Sequence, residues 1–254
     1  AAVIGPAGEH QVLYANICSG HRFVGRGGIG AVMGAKNLKA IVARGKAYKC
    51  VPVNREKFDK TVKKAQKHIL RSPFTKGYKA YGTNMNTRYG IASGFSPVRN
   101  FRDRFSPKTE AITGEAMAAK YKTRHSTCRY CSILCGHKGM YPDGRMRQIP
   151  EYETMGLFGS NIENYDTDKV AVWNDIMNEM GMDTISAGGT IAWAMECYEK
   201  GMLTQEDTDG LDLRFGNIEA AFAAIKKIAY REGKLGQLLA QGVKRAAEQI
   251  GKGS

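Results

Sequence analysis

The hydrophobic and polar positions divide the chain into two stretches of different period. Over residues 1–50 the apolar positions come in short runs broken by glycine. Ala1 to Pro6 reads as a strand already under way, Gln11 to Ile17 alternates loosely, and Leu38 to Ala43 is a second β-like run. At Val51-Pro52-Val53-Asn54 the period becomes helical. Phe58 to Leu70 predicts a basic amphipathic helix with Val62, Ala65, Ile69 and Leu70 on one side, a face that helices of this kind ordinarily pack on a core. Residues 71–110, rich in Gly, Asn, Arg and aromatics, predict loops and short helices, and Glu115 to Lys122 predicts a short helix.

Further on, Tyr141-Pro142-Asp143-Gly144 is a turn, followed by Pro150 to Leu157, in which Glu151 and Glu153 stand two apart. On extended backbone that spacing puts both carboxylates on one face, and on a helix they diverge. Asp166 or Thr167 can cap a helix from Asp168 to Met180, with Val170, Trp173, Met177 and Met180 as its apolar stripe and Gly181 as its stop. Asp183 caps the next helix, Thr184 to Lys200, in which Gly188 and Gly189 imply a close neighbour. Two more helices, about 218–232 and 235–249, finish the chain. The pattern is that of an α+β protein, mainly α: a short β-rich segment over 1–50 followed by a helical domain over 51–254.

A hydrophobic content of 43% and a charged content of 24% fit a soluble globular protein, and no apolar run approaches the ~20 residues that span a bilayer. A cytoplasmic protein with no membrane association is expected, whose cysteines serve as thiolate ligands rather than bridges. The absence of an initiator Met and the ending on Gly251-Lys252-Gly253-Ser254 suggest a piece of a longer polypeptide. Residues 1–127 carry 24 Lys/Arg against 6 Asp/Glu, whereas residues 128–254 carry 14 against 18. That basic first half would attract a polyanion: nucleic acid, a phosphate-bearing cofactor or an acidic protein such as a ferredoxin.

The candidate chemistry centres on Cys128, Cys131 and Cys135, a C-x2-C-x3-C run. Thiolates so spaced can ligate an iron–sulfur cluster, or with His125 or His137 a Cys3His zinc, and either centre wants a fourth ligand. Gly25, Gly27 and Gly30 match G-x-G-x-x-G, but Gly34 interrupts the stretch, a strand-like run follows, and no Asp or Glu lies between Glu9 and Glu56 to hold a ribose. What survives is a glycine loop beside Arg22, Arg26 and Lys36, suited either to a phosphate or to a tight turn. Glu151 or Glu153, if buried, could act as a general acid or base.

Taken in order, Gly20 to Ala40, Gly114 to Tyr121, the cysteine run, Glu151-Tyr152-Glu153 and Gly181 to Ser186 resemble the signatures of the tungsten-containing aldehyde ferredoxin oxidoreductases. The likeness spans essentially the whole chain. It implies oxidation of a small aldehyde to a carboxylic acid at a tungstopterin, a tungsten held by the dithiolenes of two pterins. Their phosphates are bridged by Mg2+, and electrons leave through a 4Fe-4S cluster to ferredoxin. By the same resemblance Cys128, Cys131 and Cys135 are cluster ligands. Val24, Gly25 and Arg26 lie in the pterin-phosphate loop, with the Val24 carbonyl a magnesium ligand. Glu153 is the carboxylate beside the tungsten, and Asn178 and Asp183 are the ends of the D-x-x-G-L-D pterin motif. A homodimer is compatible with the resemblance.

Two departures bear on this reading. Asn178 and Met182 stand where the motif has Asp and Leu, so the contact at 178 would be neutral. The fourth cluster cysteine and the rest of the phosphate site belong to N- and C-terminal portions that this sequence does not contain, and Cys18, Cys50 and Cys197 do not replace them. The chain then reads as the end of the β-rich first domain plus the helical middle domain, inactive by itself. The alternative from a different class is a zinc-bearing nucleic-acid binder, resting on the basic half and the Cys/His cluster.

Overall fold

A computed structural model describes residues 1–45 and 51–254. Cys50 and the expected boundary at residue 50 fall outside the described residues. The first 45 residues form β1 (Ala2–Val3), α1 (Pro6–Glu9), β2 (Ile17–Ser19), β3 (Arg22–Val24), α2 (Ile29–Ala35) and β4 (Ala40–Ile41). The strands make one antiparallel sheet in the order β3-β2-β1-β4, with Ile17 opposite Val24 and Val3 opposite both Cys18 and Ala40.

Gln11 to Ile17 is therefore not the strand its alternation suggests. Gln11 turns through a left-handed conformation at φ 56°, and Val12, Tyr14, Ala15 and Asn16 are all buried because this segment is clamped from both sides. α2 lies against one side so closely that a Cβ on Gly34 would sit 1.8 Å from the Gly8 carbonyl oxygen, and one on Gly30 2.4 Å from that of Asn16. On the other side Asn16 N–H donates to the Gly181 carbonyl (2.8 Å) and Asp183 N–H to that of Tyr14 (3.1 Å).

The helical part begins with α3 (Arg55–Arg71), α4 (Pro73–Tyr81), α5 (Met85–Ser93) and α6 (Gly114–Tyr121). Asn54 caps α3, its side chain accepting from Lys57 N–H, but the expected core packing of α3 is absent: none of its residues is buried, and Phe58 and Leu70 stay about half exposed. A second antiparallel sheet, β5 (Arg124–His125), β6 (His137–Met140) and β7 (Met146–Gln148), carries the cysteine loop between its first two strands. Then come α7 (Tyr152–Leu157), α8 (Thr167–Met180), α9 (Thr184–Glu199), α10 (Ile218–Tyr230), α11 (Gly233–Leu239) and α12 (Val243–Ile250). Gly242, at φ 77°, breaks the expected helix 235–249 into α11 and α12.

The core is one continuous cluster. Trp173 on α8, fully buried, meets Phe158 and Phe222 edge-on, and Ile191, Met195, Ile225 and Leu239 join it together with Ala7, Val12 and Tyr14 of the N-terminal segment. α9 packs on α7 at the expected glycine: a Cβ on Gly188 would lie 2.7 Å from Leu157 Cβ. The fold is a mainly helical α+β arrangement in which the small N-terminal sheet closes one end of a helical body. Among the described residues no helix is long and apolar enough to cross a membrane.

Candidate functional site

Helix capping supplies the most firmly held group of the site. Asp183 is 6% exposed, and its Oδ2 accepts from Ser186 N–H (2.9 Å) and Ser186 Oγ–H (2.5 Å) at the start of α9. The Arg26 guanidinium reaches the same oxygen at 3.5 Å. Oδ1 is turned toward the glycine loop, 3.9 Å from where a Cβ on Gly25 would stand. A buried carboxylate with one oxygen committed and the other facing a backbone with no side chain is a ready acceptor for a ligand N–H. Val24 ends β3, exposed, one residue before that loop.

Asp183 and Gly25 line a cavity of about 570 Å³, together with Cys128, Glu153 and Asn178. Arg26 stands at the rim through its contact with Asp183. The Cβ spaces explain the glycines: Gly30 and Gly34 are required by backbone packing, whereas a Cβ on Gly25 or Gly27 would meet nothing closer than that 3.9 Å contact. A short helix, α2, does follow the glycines, starting at Gly28 in the left-handed region.

Glu151 and Glu153 both line the cavity, yet both are exposed, so the burial expected of a general acid or base is not found, and neither expected geometry alone describes how they get there. Glu151 is extended at φ −68°, ψ 162°, as the residue preceding α7, and Glu153 sits in the first turn of that helix. Thr83 Oγ donates to Glu151 Oε2 at 2.5 Å and accepts from Tyr152 N–H at 2.9 Å.

The cysteine loop closes the far side. Cys131 N–H donates to the Cys128 carbonyl (3.2 Å), and Ser126 N–H to that of Gly136 (2.8 Å). The amides of Ile133 and Leu134 hold the Cys131 thiol below its usual range, helped by the Thr127 hydroxyl and by Arg22 across the cavity. Burial pushes the Cys135 thiol up, with Glu151, Cys131 and Cys128 adding to it. Among the described residues no group of three or more His, Cys, Asp or Glu side chains is gathered at metal-ligand separation. The donor chemistry nevertheless suits a thiolate-bound centre: three cysteines on one loop at C-x2-C-x3-C spacing.

The two histidines near the loop face backbone carbonyls. His137 is buried with Nδ1 2.9 Å from the Cys135 carbonyl and Nε2 3.0 Å from that of Lys79; burial lowers its pKa, and the neutral ring so favoured donates its one N–H to one of these two carbonyls. His125 Nδ1 lies 3.1 Å from the Leu134 carbonyl. No Cys3His set is gathered among the described residues, so the zinc-bearing nucleic-acid alternative finds no support in this geometry.

Two further polar groups of the cavity escaped the sequence reading. Asn174 also lines it and stands four residues before Asn178 on α8, a spacing that places both on one helix face and could have revealed it. Asn16, 3% exposed, accepts from the Cys18 thiol at 3.2 Å. It lies in the stretch 11–17, whose loose alternation suggested a strand rather than a cavity wall.

Comparison with known proteins adds lineage to this geometry. The sequence model for aldehyde ferredoxin oxidoreductase, domains 2 & 3, matches residues 60–254, and that for the aldehyde ferredoxin oxidoreductase N-terminal domain matches residues 1–45. The chain is 42% identical to the tungsten-containing aldehyde ferredoxin oxidoreductase of Pyrococcus furiosus and 41% identical to that of Thermococcus kodakarensis, in each case over 98% of this chain and 42% of the relative. It is 28% identical to the aliphatic sulfonate oxidoreductase, WOR-like subunit, of Pyrococcus furiosus, over 97% of this chain and 40% of the relative. Among solved structures, a chain of the active site complex BamBC of benzoyl coenzyme A reductase with 1,5-dienoyl-CoA superimposes with a TM-score of 0.79 at 30% identity, covering 99% of this chain and 40% of that one. The chain thus spans 42% of the length of the curated oxidoreductases it matches. With family models covering nearly all of its residues in the family's order, the chain belongs to the aldehyde ferredoxin oxidoreductase family.

Proposed function

We propose that this chain forms one wall of the active site of an enzyme that oxidises aldehydes to carboxylic acids and delivers the electrons to ferredoxin. The observation that carries the reading is the convergence of Gly25, Cys128, Glu153, Asn178 and Asp183 on one cavity. A tungstopterin bound there would supply the two-electron acceptor, and the chain's own groups would position reactants and handle protons.

The amides around Gly25 and the Arg26 guanidinium would hold pterin phosphates, with the Val24 carbonyl available to Mg2+. Asp183 Oδ1 would accept from a pterin N–H, and Asn178 would add a neutral contact. Oxidation of an aldehyde consumes one water and releases two protons and two electrons. Glu153, on the cavity wall, would take a proton from that water as it adds to the aldehyde carbonyl, which is the work of a general base. Cys128, Cys131 and Cys135 would provide three of the four ligands of a 4Fe-4S cluster. Cys197 is buried within α9 and Cys18 lies beside Asn16, so in this reading the fourth ligand belongs to another portion of a longer polypeptide.

In the same reading residues 1–50 are the end of a pterin-binding domain and residues 51–254 a middle domain. The assembled enzyme is cytoplasmic, and homodimeric assembly is compatible with it. The test is a family-length polypeptide carrying this sequence, produced anaerobically with tungstate and assayed for metals, labile sulfide and viologen reduction with a panel of aldehydes. Tungsten, about four irons per chain and aldehyde-dependent reduction are expected. One zinc per chain, no labile sulfide and no turnover would refute the assignment.

A further inference from the structure

The sheet under the cysteine loop carries a charge arrangement that its fold does not require. β5 and β6 pair so that Arg124 stands directly opposite Lys138, and like charges facing across an antiparallel ladder oppose strand pairing. Nearby ion pairs go elsewhere, Lys120 to Asp168 and Arg147 to Asp143 and Asp175, leaving Arg124 and Lys138 without a carboxylate partner among the described residues. Lys122 is exposed just before β5, and no Asp or Glu occurs from Ala116 to Pro142, the stretch that contains all three cysteines of the loop.

At the tip of that loop Tyr130 is 88% exposed, in a left-handed conformation at φ 62°, with the Arg129 guanidinium 4.8 Å from its ring centroid. Cys128 beside it is exposed as well. Tyrosine and arginine dominate the energetic centres of protein interfaces, and a basic stretch without Asp or Glu favours an acidic partner.

We propose that Lys122, Arg124 and Lys138, with Tyr130 at the tip, form the docking surface for an acidic one-electron carrier protein. This rests on reading the loop as an iron–sulfur ligand set. The carrier takes one electron per encounter, so two encounters remove the two electrons of one aldehyde oxidation. The patch is a short strand pair with a thiol-bearing loop at its centre, bounded by Asp143 at the next turn. A nucleic-acid backbone would need a longer basic track. The other cationic surface, α3, carries Glu56 and Asp59 of its own, with Arg55 paired to Asp59 at 2.9 Å.

The test uses the metal-loaded, family-length protein with K122E/R124E and, as a control of equal charge change, K60E/K64E on α3. Three quantities are read: aldehyde-dependent viologen reduction, ferredoxin reduction against ferredoxin concentration, and ferredoxin affinity by calorimetry at two salt concentrations. In the patch variant dye reduction should hold within twofold, while KM and Kd for ferredoxin rise about tenfold or more and kcat changes little. The α3 variant should change both by less than twofold. R124E alone would place a carboxylate opposite Lys138, so its melting temperature should rise while docking weakens, which separates docking from misfolding.

Unchanged ferredoxin KM and Kd in the patch variant, or equal losses in the α3 control, would overturn the proposal. So would a patch variant that loses affinity for a DNA duplex probe but not for ferredoxin. Wild-type protein that binds ferredoxin through this patch yet reduces no dye would refute the enzyme reading and uphold the docking surface.

Discussion

Replacing Asp183 separates its two jobs, because Asn can cap a helix and Ala cannot. In Asp183→Ala, α9 loses an N-cap, which costs about 1 kcal/mol, and the Ser186 hydroxyl loses a charged acceptor, which brings the total to about 2–3 kcal/mol. The Arg26 contact adds little, since that side chain is 67% exposed and its charge is screened by solvent. At roughly 2–4 °C per kcal/mol for a chain of this size, Asp183→Ala should melt about 4–12 °C lower. Asp183→Asn keeps an acceptor for Ser186 N–H and should stay within about 1 kcal/mol of wild type. Thermal unfolding of the 254-residue chain by circular dichroism reads this difference. In the family-length protein both variants should lose pterin and tungsten on gel filtration, because both remove the anionic oxygen turned toward Gly25. If Asp183→Asn melts as low as Asp183→Ala, the cap argument fails. If it retains its full pterin content, the ligand role of Asp183 fails.

The two classes of glycine should part in the same assays. Gly34→Ala puts a Cβ where only 1.8 Å separates it from the Gly8 carbonyl oxygen and should cost about 3 kcal/mol, whereas Gly25→Ala should melt within about 1 kcal/mol of wild type yet lower tungsten content in the family-length protein. Equal destabilisation by both would refute the division. Thiol alkylation should follow the local chemistry: backbone amides favour the Cys131 thiolate, so its labelling sets in at lower pH than for a free cysteine, while Cys197, buried and pushed up to about 11, should label only on unfolding. Peptide mapping after iodoacetamide treatment between pH 6 and 8 reads the order, and early labelling of Cys197 would contradict it. The 254-residue chain alone, with three of the four proposed cluster ligands and one wall of the cavity, should reduce no viologen with any aldehyde, a result that sustained turnover would overturn.

What the sequence made legible is what local chemistry decides. The caps Asp166 and Asp183, the left-handed stop at Gly181 and the close packing at Gly188 all occur as read, because each depends on a few neighbouring residues. Gly242 lay in plain view inside the expected helix 235–249 and splits it, since its φ of 77° is closed to a helix. The alternation of residues 11–17 misled because Val12 and Tyr14 are buried and Leu13 exposed in a segment folded by local turns, where Ala15 N–H donates to the Val12 carbonyl (2.8 Å), rather than in a sheet. Of the residues that line the cavity, Gly25, Glu153, Asn178 and Asp183 had been singled out through motif order. Asn16 was not, because its place in the cavity depends on a contact between segments more than 150 residues apart.

That contact also determines how the site holds together. The Ala15–Met182 bridge and the amide of Asn16 on the Gly181 carbonyl tie the N-terminal segment directly to the loop that ends in Asp183. Gly5 meets the same loop, where a Cβ would lie 2.4 Å from the Met180 carbonyl oxygen. Leu13 N–H to the Ala240 carbonyl (2.9 Å) and Tyr14 O–H to that of Leu239 (3.0 Å) fasten it again to α11. A division at residue 50 read from composition is thus crossed by backbone hydrogen bonds and by a shared core. The glycine loop that carries Gly25 and Arg26 hangs from β3, and the carboxylate it faces hangs from α9. Residues 13–16, which precede β2 and β3, are tied to residues 181–183 by main-chain bonds that cost free energy to leave unmade. The spacing between Gly25 and Asp183 Oδ1 is therefore set by the backbone, and side-chain substitutions elsewhere on the cavity wall should alter what binds there without altering that gap.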